Sequence, residues 1–240
     1  MARRNSILKD LDNIIAQNEG GGGIGNNFSV ELPNDWPEIE IKGTSIALVV
    51  MVIDDSKSMR YRRIEEKLLK GLRRINAIFK DAGEKRQVIL VVQGFKQRYF
   101  AGDVLTLTDE YIDTVECTNM GTPVVTTSYD LAKEVRAAEE LLTSKGIQVS
   151  VNMLVMTDGE SLDDRRDPRE FQKVVETCPH WSIMGLGVYK KDEYDEQECP
   201  IAVQEFRQLF SGMGIRRIST PDASGLEFEL AKFSKSVSGF

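Results

Sequence analysis

The sequence predicts an α/β protein with a doubly wound, mostly parallel central sheet and helices on both faces. Apolar runs of strand length alternate with longer amphipathic runs through most of the 240 residues. The apolar runs, such as "SIALVVMVI" from Ser45, are continuous rather than alternating, as in strands buried on both faces. Strands that alternate with helices form parallel sheets covered on each side.

The N-terminal region has a different pattern from the rest of the chain. Residues 1–19 predict an amphipathic helix, and "GGGGIGNN" after it predicts a flexible linker. We therefore divide the chain into a helical arm with its glycine-rich linker, 1–27, and one α/β domain, 28–240. The linker also fits GxGxxG, but no strand precedes it and no helix clearly follows, so it is not assigned as a dinucleotide site. The apolar face of the predicted helix comprises Ile7, Leu8, Leu11, Ile14 and Ile15.

The first half of the domain begins with "LPNDWPEIEIKG", which predicts an edge strand with a proline-bounded start. The buried strand "SIALVVMVI" comes next, followed by one long helix over 59–83 that ends at Gly83. Two further strands are predicted, "RQVILVVQGF" and the short edge strand "RYFAGD".

The second half repeats the alternation of helices and strands. A helix from Val124 precedes the buried strand "VSVNMLVMT", and the next helix has Pro168 in its first turn. The remaining predictions are a strand in "HWSIMGLGVY", a helix in "IAVQEFRQLFSGMG", a strand in "IRRIS" and a closing helix in "GLEFELAKFSKSVSGF".

Composition excludes several classes of function. The net charge of −7 argues against nucleic acid as a partner, because phosphate binding needs a basic surface. No apolar stretch is long enough to span a membrane, and charged Lys9, Asp10 and Asp12 interrupt any signal-peptide core. The three cysteines are widely spaced and odd in number, which indicates reduced thiols. We therefore expect a cytoplasmic protein with no membrane partner.

Small oxygen-bearing side chains follow the predicted strands, where ligands bind in doubly wound folds. Asp54, Ser56 and Ser58 follow the first buried strand, Thr122 precedes a helix, and Asp158 follows a later strand. Each has an ordinary explanation, helix capping for the serines and Thr122 and a turn for Asp158. Together they are oxygen ligands of the kind that a hard divalent cation prefers.

The pattern Asp54-x-Ser56-x-Ser58, Thr122 and Asp158-Gly159 resembles the metal-ion-dependent adhesion site (MIDAS) of von Willebrand factor A (vWA) domains. The resemblance covers residues 46–240. Within that family, "LVVMVIDDSKSM", "LVMTDGE" and "LAKFSKSVSGF" are similar to the bacterial cytosolic group around the tellurium-resistance protein TerY.

The resemblance implies a role for each residue of the pattern. Ser56 and Ser58 would coordinate Mg²⁺ or Mn²⁺ directly, Thr122 directly when the site is open, and Asp54 and Asp158 directly or through water. One position would stay vacant for an acidic residue of a protein partner, and the TerY-like group implies a kinase or phosphatase of one stress-response system.

Two positions depart from the family pattern. Lys57 stands where glycine is usual, and either modulates metal and partner binding or is an exposed lysine. Asp55 stands where a small or hydroxyl residue is common, and either adds negative potential or points to solvent.

Two other functions are weighed against this one. A phosphohydrolase of the haloacid dehalogenase type needs a second carboxylate at position 56, where the chain has Ser56, and the single histidine, His180, precedes a strand. The GxxxxGK[ST] motif is also absent, so we expect no enzyme. The second alternative is a vWA scaffold with a vestigial metal site whose partner binds elsewhere, for example through the N-terminal helix.

Overall fold

The computed structural model describes residues 28–30, 32, 36–83, 86–159, 164–189 and 198–238. The predicted arm and its glycine-rich linker lie outside these residues, so the division at residue 27 remains a prediction. Within the described part of the chain, no helix combines the length and the apolar character needed to cross a membrane.

The structure contains one small and one large sheet. Strands β1 (Phe28–Val30) and β2 (Ile39–Ile41) form an antiparallel pair. The strands of the large sheet are β3 (Ser45–Val52), β4 (Gln87–Gln93), β5 (Arg98–Asp103), β6 (Gln148–Thr157), β7 (Ser182–Gly187) and β8 (Arg217–Ser219). Their order in the sheet is β5-β4-β3-β6-β7-β8, in which only β5 runs antiparallel to its neighbour. The predicted doubly wound α/β fold is confirmed.

Helices cover both faces of this sheet. Their bounds are α1 (Lys57–Tyr61), α2 (Glu65–Gly83), α3 (Asp109–Asp113), α4 (Val124–Ser144), α5 (Pro168–Glu176), α6 (Glu198–Gly212) and α7 (Leu226–Ser238). Helices α4, α5 and α6 contribute to one apolar cluster, and α1, α2, α3 and α7 flank the other face. A 3₁₀ turn at Val104–Thr106 and helix α3 are elements that the sequence did not predict.

Strand β3 shows why its apolar run is continuous. Leu48 and Val50 point into the cluster under α4, whereas Val49 and Met51 point into the cluster under α2. Because helices cover both faces of the sheet, both faces of the strand need apolar side chains.

The prediction of one helix over 59–83 is wrong. Helix α1 ends at Tyr61, and Arg63 adopts a left-handed φ of 56° before α2 begins. The Ile64 N–H donates to the Met59 carbonyl (2.8 Å) and the Arg63 N–H to the Arg60 carbonyl (3.0 Å), the two bonds of a Schellman helix end. Glycine usually occupies the left-handed position of such a helix end. Because arginine occupies it here, the sequence does not indicate that the helix ends.

The predicted edge strand in "LPNDWPEIEIKG" is β2, which pairs with β1 rather than with the large sheet. Its position is fixed by Trp36, whose indole N–H donates to Glu134 of α4 (3.0 Å). The Arg98 guanidinium lies 5.7 Å from the same indole ring and forms an ion pair with Glu134 (2.6 Å). The edge strand predicted in "RYFAGD" is β5, which is confirmed.

Candidate metal centre

The candidate centre lies at the carboxyl ends of β3 and β6, which are neighbours in the sheet. Asp54 lies two residues beyond the end of β3, and Asp158 follows β6 directly. Both aspartates are fully buried, Ser56 is buried and Ser58 is half-buried. The strand order therefore places the two acidic loops together, as the sequence predicted.

A chain of hydrogen bonds joins four of the five predicted ligands. The Ser56 and Ser58 hydroxyl oxygens lie 2.7 Å apart, and Ser58 donates to Asp158 Oδ1 (2.8 Å). Asp54 Oδ2 accepts from the Asp158 N–H (3.0 Å) and the Thr157 hydroxyl (2.8 Å), while Asp54 Oδ1 accepts from the Ser56 N–H (2.9 Å). Carboxylate and hydroxyl oxygens are thus linked in one hydrogen-bonded cluster.

Thr122, the fifth predicted ligand, lies in the adjoining loop. Asn119 of that loop pairs with the strand-end loop, since its N–H donates to the Asp55 carbonyl (3.0 Å) and its carbonyl accepts from the Lys57 N–H (2.8 Å). Thr122 follows three residues later and is half-buried. The structure therefore brings its loop against the Ser56 loop.

Helix capping does not account for these side chains. Ser56 is the N-cap residue of α1, but within the described residues its side chain makes no capping hydrogen bond. At the start of α4, the N–H groups of Val125 and Thr126 donate to the carboxylate of Asp164 (both 2.7 Å). The Ser56 hydroxyl is directed to Ser58 instead, and the cap of α4 comes from another loop.

Among the predicted ligands, Asp158 is a carboxyl group whose charged form is disfavoured by its surroundings. Its Oδ2 atom is buried and has no hydrogen-bond partner among the described residues. Burial and the neighbouring Asp54 charge raise the pKa of Asp158 to about 7. Arg62 partly offsets this, since its Nη1 lies 3.6 Å from Oδ2 and also donates to the Asp158 main-chain carbonyl.

The donor set fits a hard divalent cation. Among the described residues no three His, Cys, Asp or Glu side chains are grouped to hold a metal, so any ion here would depend on hydroxyl ligands as well. Two carboxylates with serine and threonine hydroxyls suit Mg²⁺ or Mn²⁺ better than softer metals. The buried Asp158 oxygen without a hydrogen-bond donor is the atom that such a cation would satisfy.

Asp55 differs from its neighbour Asp54, and the expectation that it points to solvent is wrong. The Asp55 side chain is fully buried. Its Oδ1 accepts from the Phe95 N–H (3.0 Å) and its Oδ2 from the Tyr99 hydroxyl (2.8 Å). A Cβ atom at Gly94 would lie 2.3 Å from Oδ2, so glycine there leaves room for the carboxylate.

Three further residues of this region were not among the predicted ligands. Thr157 orients Asp54, Asp164 caps α4 beside the Thr122 loop, and Arg62 contacts Asp158. Arg62 follows Ser58 by four residues, and this spacing could have placed both on one side of a helix. No comparable signal marked Asp164, because its partners lie 38 and 39 residues away.

The remaining polar candidates lie away from the centre or are chemically unsuited to it. His180 precedes β7, near the amino ends of the parallel strands, and contacts Glu139 (2.7 Å). Cys117 and Cys178 are buried free thiols. Burial raises the pKa of Cys117, which keeps it a neutral thiol near the Asp54 carbonyl (Sγ to O, 3.9 Å).

No family model matches the sequence, and no curated protein matches it either. Several solved structures, in contrast, superpose on this chain. The pilus adhesin SpaC from Lactobacillus rhamnosus GG superposes with a TM-score of 0.57 at 13% identity, over 89% of this chain and 34% of SpaC. The vWF domain of the type V pili tip protein Mfa5 from Porphyromonas gingivalis gives 0.52 at 13% identity, over 81% of this chain and 95% of that domain.

These similarities show that the chain has a vWA fold. The identities are too low to transfer a function, and the chain spans only about a third of SpaC. Proximal thread matrix protein 1 from the mussel byssus, solved with a zinc-occupied MIDAS motif, gives a TM-score of 0.49 at 13% identity over 81% of this chain and 48% of that one. At that score it carries no argument about the metal bound here.

Proposed function

We propose that this chain is a divalent-metal-dependent protein-interaction module that binds an acidic residue of a partner protein. Asp54, Ser56, Ser58, Thr122 and Asp158 would hold Mg²⁺ or Mn²⁺. The observation that carries the proposal is the buried Asp158 Oδ2 atom, which has no hydrogen-bond donor in the described chain and lies beside two hydroxyls 2.7 Å apart.

The charges of the site support a binding role rather than catalysis. Two carboxylates balance a doubly charged ion, and the hydroxyl ligands are neutral, so the ion keeps its attraction for an external carboxylate. When bound, the ion would supply that Lewis-acid attraction. The chain's own residues orient the ligands: Thr157 and the Ser56 N–H fix Asp54, and Ser58 fixes Asp158.

The similarity to the TerY-like group adds a cellular location and a class of partner to the proposal. It supports a cytoplasmic protein of a stress-response or tellurium-resistance system, with a kinase or phosphatase of that system as partner and no enzymatic activity of its own.

One observation favours a second candidate, a vWA scaffold with a vestigial metal site. Arg62 already places a positive charge beside Asp158, with Nη1 3.6 Å from Oδ2. A chain that has lost its metal would need such a counterion. In that case the partner would bind elsewhere on the fold.

Calorimetric titration of the full chain with Mg²⁺ and with Mn²⁺ separates the two candidates. The proposal expects saturable binding in the micromolar to millimolar range and capture of a partner from native lysate that is lost in EDTA. Absence of binding of either ion at millimolar concentration would support the vestigial site. Capture that is the same in Mg²⁺ and in EDTA would do so as well.

A further inference from the structure

One segment beside the candidate centre is basic, although the chain as a whole is acidic. The chain carries a net charge of −7, yet the segment 57–63, "KSMRYRR", contains Lys57, Arg60, Arg62 and Arg63 and no acidic residue. This segment includes the proposed ligand Ser58 and forms α1 with the turn after it. A partner approaching the centre therefore meets a locally positive surface.

The geometry of α1 distributes these charges between two sides. Residues four apart are neighbours on a helix, and Ser58 and Arg62 both contact Asp158. Lys57 and Tyr61 form the adjacent side, where the Lys57 N–H donates to the Asn119 carbonyl (2.8 Å). Arg62 is thus engaged with the centre, and the other basic residues lie around it.

Three basic side chains remain for an external partner. Lys57 is half-buried, whereas Arg60 and Arg63 are exposed. Arg60 pairs with Glu65 at 3.8 Å, but its side chain is 65% exposed, and such exposed pairs contribute little. Glu65 also accepts from the Cys117 N–H (2.9 Å), so it is already engaged elsewhere. A partner carboxylate can therefore take its place at Arg60.

Two large apolar side chains belong to the two segments that are hydrogen-bonded beside the centre, α1 and the loop at Asn119. Tyr61 and Met120 are each 76% exposed. Met120 follows Asn119, which pairs with Ser56, and precedes Thr122 by two residues. Exposed apolar side chains beside a polar site are typical of protein interfaces, where tyrosine and methionine are enriched.

We propose that this rim, comprising Lys57, Arg60, Arg63, Tyr61 and Met120, recognises an acidic segment of a partner protein with a large apolar residue next to its metal-binding carboxylate. The inference rests on the proposed function and names the class of partner. Further acidic residues of the segment lie against the basic side chains, and the apolar residue packs between Tyr61 and Met120. The apolar pair and the overall negative charge favour such a segment over nucleic acid.

The test uses the immobilised full chain and a displayed library of random peptides with one fixed aspartate, selected in millimolar Mg²⁺ and eluted with EDTA. Enriched peptides are expected to be net negative with a large apolar residue near the aspartate. Arg60→Glu combined with Arg63→Asn should weaken a selected peptide about tenfold without weakening Mg²⁺ binding. Asparagine is chosen because it tolerates the left-handed conformation of Arg63.

A matched control changes the charge equally at the other edge of the sheet. Arg216 precedes β8 and Lys235 lies near the end of α7, and both are exposed. Arg216→Glu with Lys235→Gln should leave peptide and Mg²⁺ binding as in the wild type. On the rim, Met120→Ala should weaken the peptide about threefold, and Met120→Leu should restore it.

The outcomes separate this inference from the proposed function. Enriched peptides without acidic bias would overturn the inference while the metal site stands. The same holds if the rim variant binds its peptide like the wild type. Displacement of the peptide by a single-stranded oligonucleotide would also overturn it, because the rim would then recognise phosphate. Peptides retained equally in Mg²⁺ and EDTA would instead overturn the proposed function.

Discussion

Two buried carboxylates, Asp158 at the carboxyl ends of the parallel strands and Glu139 near their amino ends, differ in how many of their oxygens have hydrogen-bond partners. Glu139 of α4 accepts from Trp181 Nε1 at one oxygen (2.8 Å) and contacts His180 Nε2 with the other (2.7 Å). Asp158 accepts from Ser58 at one oxygen, and its other oxygen has no hydrogen bond within the described chain. Burial of a carboxylate is therefore not itself a sign of function, and the two sites differ in the oxygen of Asp158 that lacks a hydrogen-bond donor within the described chain.

The contrast is repeated between neighbours in the sequence. Asp54 contributes to the candidate centre, whereas both oxygens of Asp55 are bound by Phe95 and Tyr99 on the β4–β5 side. Asp55 is thus a structural residue that joins two strand-end loops. Asp54 and Asp55 have different roles because successive side chains of an extended segment point to opposite sides.

The largest expected effect is that of Asp54→Ala on metal affinity. The change removes one of two charges facing the ion and the acceptor for Thr157 and Ser56. We expect Mg²⁺ binding to weaken at least about 100-fold, as measured by calorimetry. Metal binding equal to that of the wild type would refute the site.

The variant to compare with Asp54→Ala is Glu139→Ala, near the amino ends of the strands. It should lower the stability of the protein rather than its metal affinity. It leaves the buried Trp181 N–H without its acceptor, at a cost of about 2 kcal/mol in the free energy of unfolding. Urea denaturation measures this loss. Mg²⁺ affinity should stay unchanged, and a large change in it would show that the two sites are coupled.

The raised pKa of Asp158 predicts that the stability of the folded protein depends on pH. A carboxyl with a pKa of about 7 in the folded state and about 4 in the unfolded state holds its proton longer when folded. Its contribution to stability is therefore complete below pH ~4 and is lost as the pH rises to about 7.

In chelator, the melting temperature should thus be lower at pH 8 than at pH 5, by about 2–4 °C for each kcal/mol lost. Mg²⁺ should restore it at pH 8, because the cation replaces the proton. Asp158→Asn supplies the control, since this part of the pH dependence should vanish. An unchanged difference in the asparagine variant would assign the effect to other groups.

The smallest of these effects concerns Thr122→Ala. The variant removes one neutral ligand and leaves Asp54 and Asp158 in place, so Mg²⁺ should bind about fivefold more weakly. Capture of a partner should be reduced more than metal binding, because Thr122 is the proposed ligand of the open state of the site. If calorimetry shows no change and capture is intact, Thr122 is not a ligand.

Much of the fold followed from the sequence because its signals are local. The continuous apolar run of β3 and the proline at the start of α5 predicted both elements. The strand-end positions of Asp54 and Asp158 likewise predicted their proximity, since neighbouring parallel strands end at one edge.

What the sequence did not reveal depends on contacts between distant residues. Asp55 is held by Tyr99, 44 residues away, and Asp164 caps a helix that begins 40 positions earlier in the chain. The break at Arg63 was missed because its left-handed conformation is imposed by the packing of Ile64 and Met59, which are both buried. Neither periodicity nor local propensity carries that information.

The contact between Arg62 and Asp158 has a consequence for how the site would respond inside a cell. A cationic side chain already stands beside the acidic pocket, so an ion that loads the site would either displace Arg62 from Asp158 Oδ2 or bind beside its positive charge. Either course yields less electrostatic gain than filling an empty anionic pocket. We therefore expect occupancy to follow the free magnesium of the compartment, which would make partner binding a readout of ionic conditions.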